Sequence, residues 1–246
     1  MEEKTTVRAV DRALDILLCF TRAADLTLTE ISQRVGLHKS TVHRLLASLE
    51  GKGFVVRDPV TEKYKVGYRV WELTANIAGS DDPASLFLPE MERLRDQLGE
   101  TVSLYIRDGL ERIRIQSVQS NQEIRRVAPV GARMPLYVGA SSKVLLAFEE
   151  PAVLEQVLQD PNWPENINRE AFIKQLEDIR RDGYATSVGE REQGAAAIAA
   201  PVVNRSGRLV AALSVSGPEN RWTLPVMRQH APMIREAAVR MGNMLR

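Results

Sequence analysis

The chain has 246 residues, 44% apolar and 26% charged, with a formal net charge of +1, a composition that suits one small and one medium globular domain and excludes a disordered or fibrous chain. No apolar run approaches the roughly 20 residues that cross a bilayer, and the Met1-Glu2-Glu3-Lys4 start is too polar for a secretory signal. With the lone Cys19 unable to form an internal disulfide, a reduced cytoplasmic setting and no membrane partner are expected.

The charge is unevenly spread. Residues 1–70 hold 12 Lys/Arg against 9 Asp/Glu, a slight basic excess that suits a nucleic-acid face. Val10, Ala13, Leu14, Leu17 and Phe20 recur at helical spacing, so the pattern predicts a helix over about 9–21 with that stripe, and Cys19 beside it, facing a core. Thr27-Leu28-Thr29-Glu30 has capping-box form and opens a second helix, which Gly36 closes. After Leu37-His38-Lys39, a third helix turns Val42, Leu45, Leu46 and Leu49 inward and stops near Gly51. Two short helices joined by a Gly-containing turn are the helix-turn-helix pattern. Phe54–Arg57, the turn residues Asp58-Pro59, and Glu62–Gly67 then read as a β-hairpin wing.

In such a unit the start of the second helix of the pair enters the major groove. The inward apolar face leaves Lys39, Ser40, Thr41, His43 and Arg44 to point outward, where cations meet phosphates or guanine edges and hydroxyls meet phosphate oxygens. Arg57, Lys63 and Lys65 of the wing, and Arg8 in an N-terminal arm, are candidates for the adjacent backbone. The alternative for each is a solvated face of a small helical domain.

A helix is expected over 69–79, with Val70, Trp71, Leu73, Thr74 and Ile77 available for packing, and the domain boundary falls at Ser80-Asp81-Asp82-Pro83. The expected division is a winged helix-turn-helix domain at 1–68, a linker helix at 69–80 and an effector-binding domain at 81–246. In the last, Asp82 is a natural N-cap and Pro83 a natural first residue for a helix over about 83–98, ended by Gly99. Strands are expected at 101–107, 113–118 and 123–128, then a loop through 131–139 and helices near 142–149, 151–159 and 169–181. A strand at 184–188, a hairpin of 196–203 and 208–216, and a final helix over about 224–245 complete an α+β domain.

No enzyme constellation assembles. His38, His43 and His230 lack metal-ligand spacing, and neither a phosphate-binding loop nor a dinucleotide glycine fingerprint is present. No catalytic residue, metal or cofactor is expected.

The motifs of both halves resemble the IclR family of transcription regulators. The likeness runs through Arg12–Leu17, Leu28–Ile31, Ser40–Leu46 and Lys65–Gly67, then Gly139–Ala147, Gly183-Tyr184, Glu190 with Gly194, Ile198–Val202 and Ser214–Pro218. It implies a C-terminal GAF-like effector domain and a homodimer, often paired into a dimer of dimers. It also implies a palindromic double-stranded DNA operator and a small organic acid as effector, with repression the commoner outcome. By position, the acid would sit among Gly139, Ala140, Ser141, Ser142, Ser214 and Ser216, with Ser187 where some relatives carry an acidic residue and Ser142 where the family usually has Gly. Helix-start N–H groups form an anion site, and Ser214 and Ser216 share one side of a strand; the alternative is that these serines cap a helix or satisfy the sheet. Arg126 and Arg133 are further carboxylate candidates or plain surface charges, and Glu190 with Glu192 fits a structural loop. Ligand binding is expected to reorder 131–141 and shift the 69–79 helix. The other class considered is a regulator-derived protein whose second domain binds or turns over a small molecule while DNA contacts are secondary.

Overall fold

The computed structural model describes residues 6–75, 82–125 and 127–245, and the chain falls into two compact units, 1–80 and 81–246. The first contains α1 (Arg8–Cys19), α2 (Leu28–Val35), α3 (Lys39–Gly51), β1 (Val55–Arg57), β2 (Tyr64–Val66) and α4 (Arg69–Ala75). Ile16, Phe20, Leu26, Ile31, Val42, Leu46, Val55 and Tyr64 form its core. Both halves of the α2 capping box are made: Thr27 Oγ1 accepts from Glu30 N–H and Glu30 Oε2 accepts from Thr27 N–H at 2.7 Å. Gly36 ends α2 in the left-handed conformation (φ 65°).

The first helix departs from expectation in its facing. Ile16 and Phe20 are buried, with Ala13, Leu17 and Cys19 at the margin, whereas Val10 and Leu14 of the predicted stripe point to solvent. The helix carries two apolar stripes, and a 12-residue amphipathic segment can seat only one of them on a three-helix core. The wing turn is also longer than the Asp58-Pro59 dipeptide. Asp58 Oδ1 accepts from the Val60 and Thr61 amides at 2.9 Å, and Glu62 takes a left-handed φ of 57°. The expected linker helix is described only as α4; Ile77 and the rest of 69–80 beyond Ala75 lie outside the described residues. Within α4, Trp71, Leu73 and Thr74 are exposed and Val70 is half-buried.

The second unit is built on one six-stranded antiparallel sheet in the order β5-β4-β3-β8-β7-β6. Its strands are β3 (Thr101–Asp108), β4 (Glu111–Val118), β5 (Arg133–Pro135), β6 (Ala185–Val188), β7 (Ala195–Val203) and β8 (Leu209–Pro218). One face carries α5 (Pro83–Leu86), α6 (Leu88–Leu98) and α10 (Leu224–Met244) around Phe87, Met91, Leu104, Ile198, Leu213 and Ile234. The opposite face carries α7 (Ala140–Ala147), α8 (Pro151–Leu158) and α9 (Arg169–Asp182) around Tyr105, Leu145, Phe172 and Ala199. This is an α+β domain with helices on both sides of its sheet.

Two expectations are corrected here. The single helix over 83–98 breaks at Phe87, because Pro89 has no N–H to donate and its ring opposes the Ser85 carbonyl. Among the described residues of 123–128 no strand forms, and Ile124 and Val127 are exposed. The outer edge of β4 is taken instead by β5, within the segment expected as a loop, with Glu111 opposite Pro135.

Candidate functional site

On α3, burial and exposure divide by helical face. Val42 and Leu46 are 0% exposed, while Lys39, Ser40, His43 and Arg44 are exposed and Thr41 is half-buried. The helix starts in a way the sequence did not disclose: His38 is its N-cap, Nδ1 accepting from Ser40 N–H, with Ser40 Oγ 2.9 Å away. In the wing, Lys65 is exposed, Arg57 pairs with Glu62 at 3.0 Å, and Lys63 pairs with Asp25 at 2.8 Å. These pairs are open to solvent and worth at most about 1 kcal/mol each, so exchanging them for a phosphate costs little. Arg8 is not in an extended arm; it is the first residue of α1 and exposed.

In the second unit the parity of the strands brings the other candidates together. Residues 213 and 215 face the α10 side, so Ser214 and Ser216 face α7, joined by Ala197 of β7 and Ser187 of β6. Gly139 takes a left-handed φ of 88° immediately before α7. A cavity of about 50 Å³ lies between this turn and the sheet, lined by Gly139, Ala140, Ser141, Ser187, Ser214 and Ser216. Ser142 is the exception among the predicted residues: fully buried, its Oγ donates to the Pro135 carbonyl at 2.7 Å, tying α7 to β5 instead of facing the cavity.

The cavity also holds groups that the sequence alone did not single out. Arg112 and Arg114 of β4, 3% and 4% exposed, line it together with Tyr105 of β3. Both guanidiniums pack on the Tyr105 ring, at 4.9 and 5.2 Å from its centre. Arg112 donates from Nη1 to Ser141 Oγ at 2.6 Å and from Nη2 to Met134 Sδ at 3.3 Å, while its buried Nε has no partner. Burial pushes the Arg112 guanidinium down to about 10, the neighbouring charges of Arg191 and Arg114 adding to the effect. Arg114 donates to Tyr105 Oη and, at 2.6 Å, to the Ala128 carbonyl.

Behind α7, Lys143 is 1% exposed and donates to Glu190 Oε1 at 2.6 Å and to the Thr186 carbonyl at 3.0 Å. Glu190 Oε2 accepts from Gly139 N–H at 3.0 Å. Glu190 thus anchors its loop to the start of α7. Of the two other arginines considered, Arg133 pairs with Asp108 and Glu111 at the surface, and Arg126 lies outside the described residues.

A larger groove of about 630 Å³ lies over Arg107, Phe148, Glu149 and Leu209. Of its charged side chains, Arg107 and Glu149 pair at 2.7 Å and Glu150 and Arg208 are exposed, so the smaller cavity with an unpartnered buried donor is the better candidate for a polar ligand. Among the described residues no group of three or more His, Cys, Asp or Glu converges as a metal site, and no helix is long and apolar enough to cross a membrane.

A winged helix-turn-helix followed by an α+β domain with a cationic internal cavity defines a class, the DNA-binding transcription regulators. Comparison with known proteins gives the family. Residues 9–59 match the IclR helix-turn-helix domain and residues 77–242 the bacterial transcriptional regulator IclR C-terminal domain; the chain belongs to the IclR family. It is 35% identical over 219 residues to the transcriptional regulator XynR of Escherichia coli K12, covering 85% of this chain and 86% of that protein. It is 30% identical over 237 residues to the transcriptional repressor AllR of the same strain, covering 94% and 88%. An IclR homolog from Microbacterium hydrocarbonoxydans, solved in complex with 4-hydroxybenzoate, superposes with a TM-score of 0.84 at 28% identity, covering 96% of this chain and 98% of that one. Its named relatives are transcription regulators, not enzymes.

Proposed function

We propose that this regulator is a repressor whose operator affinity changes when a small organic acid occupies the cavity between α7 and the sheet. The observation that carries the DNA half is the division of α3: Val42 and Leu46 hold the core while Lys39, Ser40, Thr41, His43 and Arg44 are turned away from it. Lys39 and Arg44 supply charge, the hydroxyls of Ser40 and Thr41 meet phosphate oxygens, and His43 reaches the groove; Arg57, Lys63 and Lys65 brace the wing on the backbone and Arg8 adds charge at the α1 start. Repression accords with the named activity of AllR.

A palindromic operator requires two recognition helices about 34–36 Å apart, hence a dimer. Val7, Val10, Leu14 and Leu18 make an apolar stripe along α1, each more than half exposed, and we assign it to a second copy of this chain. The acid is met by the first-turn N–H groups of α7 and by Ser187, Ser214 and Ser216. The cavity is small, which limits the acid to one of few carbons.

Fluorescence anisotropy with DNA from the region upstream of the gene itself tests this. Tight, salt-sensitive binding that one member of a carboxylate panel weakens without being consumed is the expected result. No preference over random DNA at low salt refutes the operator reading, and affinity unchanged by every acid shown to bind refutes the switch.

A further inference from the structure

We infer that the effector is a short dicarboxylate, its two charges met by Arg112 and Arg114. The inference rests on the assignment of the cavity to an organic acid and adds its class. Five charged side chains line the cavity: Arg112, Arg114, Arg191, Glu190 and Glu192. Glu190 is committed to Lys143 and the Gly139 amide, and Arg191 faces Glu192 at 3.9 Å. Arg112 and Arg114 remain, with no carboxylate partner among the described residues; their hydrogen bonds go to a serine hydroxyl, a thioether, a tyrosine hydroxyl and a backbone carbonyl.

Two like charges buried side by side are unfavourable unless something compensates them. Tyr105 offers both guanidiniums the face of its ring, which is a weak substitute for an anion. The unbonded Nε of Arg112 is the clearest sign that a partner is missing. Its guanidinium lies against the Gly139 turn, where a Cβ on Gly139 would sit 3.3 Å from both Nη atoms. One carboxylate of the ligand can therefore bridge Arg112 and the start of α7. The second falls toward Arg114 and the hydroxyl of Tyr105, two residues along β4 on the same face. Ser187, on β6 at the far side of the cavity, carries no charge to oppose it. The small size of the cavity favours a chain of few carbons.

Isothermal titration of the full-length protein with matched pairs, succinate against butyrate and malonate against propionate, tests the charge count. Dicarboxylates are expected to bind at least about 30-fold more tightly than their partners, as one added charge-assisted hydrogen-bonded pair implies. In Arg112→Gln and in Arg114→Gln that advantage should collapse to a few-fold. Arg112→Met should melt, without ligand, at or above the wild-type temperature, since it removes a buried charge that no carboxylate among the described residues contacts as an ion pair; a marked fall would make Arg112 structural and overturn its role. Equal binding of the mono- and dicarboxylates by the wild type overturns the proposal while leaving an acid site in place. Failure of every acid to bind would remove the acid site itself, and operator binding, measured separately, would still stand or fall alone.

Discussion

The Lys143–Glu190 pair should respond asymmetrically to loss of its two members. Lys143 is almost wholly enclosed, whereas the Glu190 side chain is 34% exposed. Glu190→Ala strands a buried ammonium with only the Thr186 carbonyl and also deprives the Gly139 amide of its acceptor. Breaking a buried pair in that way costs about 3–5 kcal/mol. Lys143→Met fills much of the same volume and leaves a carboxylate that still accepts from Gly139 and reaches water, which costs about 1–3 kcal/mol. At ~2–4 °C per kcal/mol for a domain of this size, Glu190→Ala should lower the melting temperature by about 10 °C and Lys143→Met by roughly half that. Calorimetry on the full chain reads both, with Trp163 and Trp222 fluorescence reporting the second unit. A larger loss for Lys143→Met would mean that burial of the ammonium does not set the energy of this contact, and the role given to Glu190 as the anchor of its loop would fail.

Arg44→Ala should weaken operator binding and lower the slope of log affinity against log salt by about 1 if its contact is to phosphate, with acid binding unchanged by titration calorimetry. Ser214→Ala with Ser216→Ala should do the reverse, weakening the acid about 10-fold per lost hydrogen bond while ligand-free DNA affinity holds. Gly242→Ala should cost several kcal/mol in thermal denaturation, because a Cβ there would lie 1.9 Å from the Val203 carbonyl where α10 crosses β7. Burial alone would raise the Glu90 carboxyl, but hydrogen bonds and charges from Arg93 and Arg240 outweigh it and hold it below its ordinary range. Its stabilising contribution is thus present above the unfolded-state value of about 4.3 and lost as pH falls through the lower folded value; Glu90→Gln should flatten that part of the acid denaturation curve.

What the sequence disclosed was mostly local. The Thr27–Glu30 box, the Gly36 stop and the Asp82 cap with Pro83 each involve residues within a few positions of one another, so spacing suffices to read them. Errors arose where tertiary choice decides. Periodicity identified α1 but not which of its apolar stripes meets the core, and Val10 and Leu14 went to solvent while Ile16 went inside. The 123–128 segment has strand-like residues, yet none of its described residues joins the sheet. The serines of the cavity were legible from family resemblance, except that Ser142 turns to Pro135. Its cations were not legible. Lys143 finds Glu190 across 47 positions, and the expected strand began at residue 113, leaving Arg112 outside it.

A single irregularity in β4 determines which residues the cavity receives. Leu104 opposes Gln116, but the next residue of β3, Tyr105, opposes Arg114, so Ile115 is bulged out of the ladder. Without that step Ile115 would stand opposite Tyr105, and Arg114 would stand opposite Ile106, whose side chain packs toward the α10 core. Arg114 would then face an apolar side chain and Arg112 would stand opposite the exposed Asp108, while Ile113 and Ile115 would turn to the cavity side. With the bulge, Ile115 and Gln116 both serve the α10 side, where Gln116 Nε2 donates to the Ala84 carbonyl at 3.1 Å. Arg112 and Arg114 are thereby delivered to the α7 side beside Tyr105. The local departure from regular pairing is what lets one strand supply apolar groups to the core and two cations to the cavity, and it ties the charge of the candidate ligand to the register of the sheet.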